Sequence, residues 1–159
     1  MMAITIWQPW ATLVAAGAKR FEFRSWAAPQ RFVGQRIAIH AGARPVRRSE
    51  IHELLIKLRG PAAVETGLVI EPAIALLDRV ATAPGVLPLS SIVCTAILGT
   101  PIRDAELAAE IGTQFMNDSD RAEHSNFGWP LSDVRVLEPF VPAKGAQGFW
   151  KWQPERQAP

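Results

Sequence analysis

The chain has 159 residues, enough to bury one sizeable core and most economically one domain. It is 48% hydrophobic and 20% charged, which excludes a disordered chain, and 17 basic against 15 acidic residues leave a net charge of only +2. Any nucleic-acid-binding role therefore rests on a local patch, a lone Cys94 excludes an internal disulfide or a cysteine zinc cluster, and no run approaches the roughly 18 apolar residues of a membrane span.

Ala3 to Trp7 reads as a first strand. Pro9 suits the first position of a helix, and Trp10, Leu13, Val14 and Gly17 follow at i, i+3, i+4 and i+7, with Gly17 placed to end it in the left-handed conformation. A strand from Arg20 puts Phe21 and Phe23 on one face and Arg20, Glu22 and Arg24 on the other. With Lys19 at the turn, cations outnumber the single carboxylate, an arrangement suited to phosphate or another anion. The competing reading is a solvated strand face with weak ion pairs. Trp7, Gln8 and Trp10 flank the same turn and offer stacking and hydrogen-bonding groups, with core packing the alternative for each Trp.

Ser25 to Pro29 breaks this strand, and Gln35 to His40 forms the next, with His40 on its polar side beside the small-residue loop Ala41-Gly42-Ala43. Arg44-Pro45-Val46-Arg47-Arg48 is the densest basic cluster, read either as a solubilising loop or as a wider electrostatic footprint around the charged strand. Ser49 is the expected cap of a helix carrying Ile51, Leu54, Leu55 and Leu58, stopped by Gly60-Pro61. His52 and Glu53 lack a second His at i+4, so no metal site is read here. Pro72 is expected to open a short helix through Leu77, and Ala83 to Pro88 is a connecting loop. Ser91 to Leu98, apolar on both faces, reads as a buried strand that keeps Cys94 inert. Asp104 is expected to cap a small helix carrying Leu107 and Ile111. The polar stretch 112–126 reads as a surface loop that folds over a cleft, without the rest of an EF-hand around Asp118 and Asp120. Phe127 to Leu137 and Phe149 to Trp152 resume strand character, with a tail from Pro154.

Ile6-Trp7-Gln8-Pro9-Trp10-Ala11, Gly17-x-Lys19-x-x-Glu22-x-Arg24 and Ile37-Ala38-Ile39-His40-Ala41 together resemble the start of an ASCH domain, a branch of the PUA-like superfamily. Trp129-x-Leu131-Ser132-Asp133-Val134, Lys144-Gly145 and Gly148-Phe149-Trp150 are similar to its closing segment. The resemblance implies an α+β fold, a small PUA-like β-barrel with helices packed on the outside, over residues 1–153, with 154–159 as a tail. It implies an RNA or nucleotide partner, single-stranded by preference, bound in a cleft beside the charged turn. Lys19 and Arg24 would meet phosphate, Glu22 would orient them or accept from a base amino group, and Trp10 or Trp26 would stack a base, with Gln8, His40 and Arg44 alongside. The alternative is a hydrolase acting on RNA or on an acylated cytidine, with Lys19 and Glu22 in acid and base roles. Relatives of that kind use Lys, Thr and Glu; Lys19 matches the Lys, whereas Glu22 stands where the Thr belongs, which removes the nucleophilic hydroxyl. A protein-interaction module anchored by exposed aromatics is a third class. No cofactor, metal or membrane partner is expected, and cytoplasmic residence follows from the lack of a basic region followed by an apolar one at the N-terminus.

Overall fold

The computed structural model describes residues 1–118 and 126–154. Five strands run side by side with most of their apolar residues turned to one main core. β1 (Met2–Ile6) lies parallel to β3 (Arg36–Ala41), pairing Ile4 with Ile39, and antiparallel to β7 (Phe149–Lys151) on its other side. β4 (Ser91–Leu98) joins β3 to β6 (Phe127–Pro142), and this central place buries both its faces, as its unbroken apolar run requires. β2 (Phe21–Arg24) pairs with the start of β6, giving the order β2-β6-β4-β3-β1-β7, with β5 (Ile102–Arg103) also on β6. The α+β sheet curls into a half-barrel, so the expected small barrel is open.

Helix α1 (Trp10–Ala15) ends as its sequence foretells. Gly17 sits at φ 73, Ala18 N–H donates to Leu13 and Gly17 N–H to Val14, both at 2.9 Å, which closes the orphan carbonyls in a Schellman turn. Ala11 and Val14 face the sheet core around Ile4, Ile39 and Trp129, while Leu13 and Ala18 face a second core made with α2 (Arg48–Leu58) and α3 (Ile70–Val80). The helical layer therefore lies outside the sheet. A smaller core of Ala3, Ala38, Ile92 and Trp152 covers the opposite sheet face. Cys94 is buried in the main sheet core with Ile4, Ile39 and Trp129, and burial pushes its thiol up to about 12, leaving it without nucleophilic character.

Four local expectations are corrected. The cap of α2 is Arg47, whose N–H donates to Glu50 at 2.8 Å; Ser49 is already inside the helix. Helix α3 begins two residues before Pro72, because a proline in the first turn has no intrahelical bond to lose, and the stripe Ala73, Leu76, Leu77, Val80 carries it on to Val80. Helix α4 (Asp104–Glu110) ends before Ile111, which is exposed, while Leu107 packs with Phe21, Phe23 and Met116. Strand β6 continues past Leu137 to Pro142, paired with Ile92 and Ser91 of β4. In the expected 112–126 loop, residues 119–125 lie outside the described residues.

Candidate nucleic-acid cleft

The ends of β1, β2 and β3, one face of α2 and the segment 144–148 surround a cleft of about 1140 Å³. Its floor holds the charged turn. Gly17 turns the chain so that Ala18 and Lys19 pack inward, and Lys19 pairs with Leu68 in an isolated bridge. Only 2% of Lys19 is exposed. Its ammonium donates to the Phe21 carbonyl at 2.6 Å and to Asp118 Oδ2, and forms an ion pair with Glu22 Oε2 at 3.3 Å. The rings of Trp10 and Phe23 flank it at 5.7 and 5.2 Å. Arg24 donates to Glu22 Oε1 at 2.7 Å and to the Thr5 carbonyl at 2.9 Å.

This overturns the expected surplus of cations. Lys19 and Arg24 meet two carboxylates, Arg20 is exposed and lies outside the cleft, and Glu22 is only 6% exposed. Asp118, read from sequence as part of a surface loop, is the missing partner. Burial raises its carboxyl above the ordinary 3.8, Lys19 pulls it down, and the neighbouring Glu22 charge pushes it up again. Glu22 and Asp118 line the cleft; Lys19 stands behind them.

The remaining expected residues divide by what they touch. Gln8 lines the cleft and is 1% exposed: its amide donates to Thr12 Oγ1 and to the Pro88 carbonyl, both at 2.8 Å, and its oxygen accepts from Thr12 N–H at 3.1 Å. Trp10 is half-buried between the two large cores. Trp26 is 39% exposed at the cleft edge, seated edge-on against Trp129 at 4.7 Å. Trp7 is 48% exposed in the same cleft, and the Arg44 guanidinium lies over its ring at 4.7 Å while pairing with Glu50 at 2.6 Å. Among the described residues that line the cleft, Lys57 and Lys144 are cations without an ion pair. Lys57 carries no signal in the sequence, and Lys144 is marked there only as part of the family's closing segment, since the fold alone shows that Arg24 and Arg44 are neutralised.

His40 anchors the wall of the cleft. Its Nε2 donates to the Ala143 carbonyl at 2.9 Å and its Nδ1 faces Thr5 Oγ1 at 3.2 Å. That hydroxyl also donates to the Ala146 carbonyl at 2.9 Å and accepts from Trp150 Nε1 at 3.1 Å. Gly145 lies directly on the imidazole, where a Cβ would stand 2.4 Å from His40 Cε1, so only glycine lets the segment close. Burial lowers the His40 pKa from 6.5, against the Ala143 hydrogen bond, which raises it. The folded state then binds fewer protons than the unfolded chain just below 6.5, so stability is complete above that value and falls as the pH drops from it toward the folded pKa. Thermal midpoints measured down through this window should decline in the wild type and flatten in His40→Gln; equal slopes would contradict the assignment.

Among the described residues no group of three or more His, Cys, Asp or Glu is placed to hold a metal, and no helix is long and apolar enough to cross a membrane.

A curled α+β half-barrel with its helices outside and a polar cleft at its strand ends is a PUA-like architecture. Residues 4–84, half of the chain, match the family model of the ASCH domain, and the chain belongs to that family, a PUA-like one associated with RNA binding. The structure is similar to ASCH from Zymomonas mobilis with a TM-score of 0.52 at 15% identity, covering 97% of this chain and 87% of that one. A mutant of the Zymomonas protein gives 0.50 at 14% identity, covering 97% and 88%. At such identity the likeness is one of fold. No curated protein matches the chain.

Proposed function

We propose that the cleft binds RNA or a nucleotide through a base inserted from a single strand. The observation that carries this reading is the pair of half-exposed indoles, Trp7 and Trp26, standing in one cleft. An exposed indole loses nothing when a base covers it, and base–aromatic stacking contributes about 1–3 kcal/mol per base. The Arg44 guanidinium extends the Trp7 platform by a second flat surface. Because cations and carboxylates on the cleft floor are matched, the floor suits the polar edge of a base better than a phosphate: Glu22 accepts from an amino group, and Arg24 donates to a carbonyl. Phosphate contact passes to Lys57 and Lys144 at the cleft lining. Titration of short single-stranded RNA into wild type, Trp7→Ala and Trp26→Ala should weaken binding in each variant by about fivefold to a hundredfold.

A second reading, hydrolysis of RNA or of an acylated nucleoside, is favoured by one observation. Glu22 and Asp118 both line the cleft and share one ammonium, and Asp118 holds its proton to higher pH than a free carboxyl. A carboxyl that keeps its proton beside a second carboxyl is suited to act as the proton donor, with the second as acceptor. In this reading Lys19 keeps the pair together from behind, and Glu22 is the base. Chromatography of the same mixtures separates the readings: product from wild type and none from Glu22→Gln marks hydrolysis, whereas binding without product marks recognition.

A further inference from the structure

A second groove of about 380 Å³ opens on the other side of the 143–148 segment, lined by Lys144, Lys151, Trp150, Trp152 and Gln153. Three features join it to the cleft. Lys144 lines both spaces. Trp150 bounds the groove while its indole N–H is fixed to Thr5 Oγ1, a cleft group. The chain between them is held by His40 and Thr5 through the Ala143 and Ala146 carbonyls, so the ridge separating the two spaces is a built element.

The charge balance differs between the two spaces. In the cleft, Arg24 and Arg44 are paired with Glu22 and Glu50. In the groove, among the described residues, no acidic side chain lines the wall, and Lys144 and Lys151 have no ion pair. Unneutralised lysines beside the partly exposed Trp150 indole, backed by the buried Trp152, are a combination that follows a phosphodiester backbone while stacking a base. A volume of 380 Å³ lies at the low end of small-ligand sites and fits one nucleotide unit.

We infer that this groove is a second nucleotide subsite: a single RNA strand with one base in the cleft crosses the ridge with its phosphate on Lys144 and places the adjoining nucleotide between Lys151 and the Trp150–Trp152 wall. The inference rests on the proposed function and narrows its ligand to an oligonucleotide of at least two units. A mononucleotide fills the cleft alone and leaves the groove empty.

The test measures the affinity of a ribonucleoside monophosphate and of a six-nucleotide single-stranded RNA for four proteins: wild type, Lys151→Glu, Gln153→Glu and Arg79→Glu. Lys151, Gln153 and Arg79 are all exposed, and Arg79 lies on α3 away from both spaces. In wild type the oligonucleotide should bind about fivefold to a hundredfold more tightly than the monophosphate, the worth of one further stacked base. Lys151→Glu and Gln153→Glu should pull that ratio toward one, and Arg79→Glu should leave it unchanged. A wild-type ratio near one, or a high ratio untouched by both groove variants, overturns the second subsite while leaving the cleft reading intact. Binding of neither ligand overturns both.

Discussion

Replacing Lys19 by Met is expected to lower stability by about 3–5 kcal/mol at neutral pH, because it leaves a buried charge uncompensated. The ammonium donates to Phe21 O and Asp118 and forms an ion pair with Glu22, and the two carboxylates are only 8% and 10% exposed in their side chains. Methionine keeps the stem that packs beside Trp10 and Phe23, so the loss isolates the charge. The variant should regain part of this loss in acid, since protonating Asp118, whose carboxyl burial already raises, removes its repulsion with Glu22. Arg59→Ala provides the contrast: its pair with Asp78 is about half exposed on both sides and should be worth about 0–1 kcal/mol. Urea midpoints at two pH values measure both. A Lys19→Met loss as small as that of Arg59→Ala, with no recovery in acid, would show that the triad is not a buried structural unit.

Trp129→Ala is the second large effect, at about 3–5 kcal/mol. The indole is fully buried, stacked on Phe149 at 5.6 Å, met edge-on by Trp26 at 4.7 Å, and its N–H donates to the Trp26 carbonyl at 3.0 Å. Truncation removes the apolar transfer gain, leaves a cavity at the centre of the largest core, and strips Trp26 of its backing. The same substitution at Trp7, which is 48% exposed, should change stability by no more than about 0.5 kcal/mol. Calorimetry on the two variants decides this. Similar losses for Trp7 and Trp129 would contradict the division of the tryptophans into core and cleft.

That division was only partly legible in the chain. The 3.6-residue stripe of α1, the left-handed Gly17 and the two-residue alternation of β2 are local patterns, and the fold reproduces them. What local pattern does not carry is which face a strand turns inward. Both faces of β2 are covered, the phenylalanines by Leu107 and Met116 and the charges by the cleft floor, so the polar face reads as solvated in sequence and is buried in the fold. Asp118 stands 99 residues from Lys19, and no spacing rule joins them. Gln8, polar and beside two tryptophans, lines the cleft, and its amide also ties α1 to Pro88, a contact eighty positions away that its sequence neighbours do not announce. Lys144 was visible as part of the family's closing segment, yet its standing as an unpaired cation emerges only when Arg24 and Arg44 are seen to be neutralised.

The cleft between Trp7 and Trp26 is proposed to take a base from single-stranded RNA. The most direct test is a fluorescence titration of that RNA into wild type and Trp26→Ala, with folding of the variant verified by its thermal midpoint. A folded variant with affinity reduced by about fivefold or more is the expected result. Wild-type binding that survives unchanged in folded Trp26→Ala and Trp7→Ala would contradict it and move the RNA-binding surface elsewhere on the half-barrel.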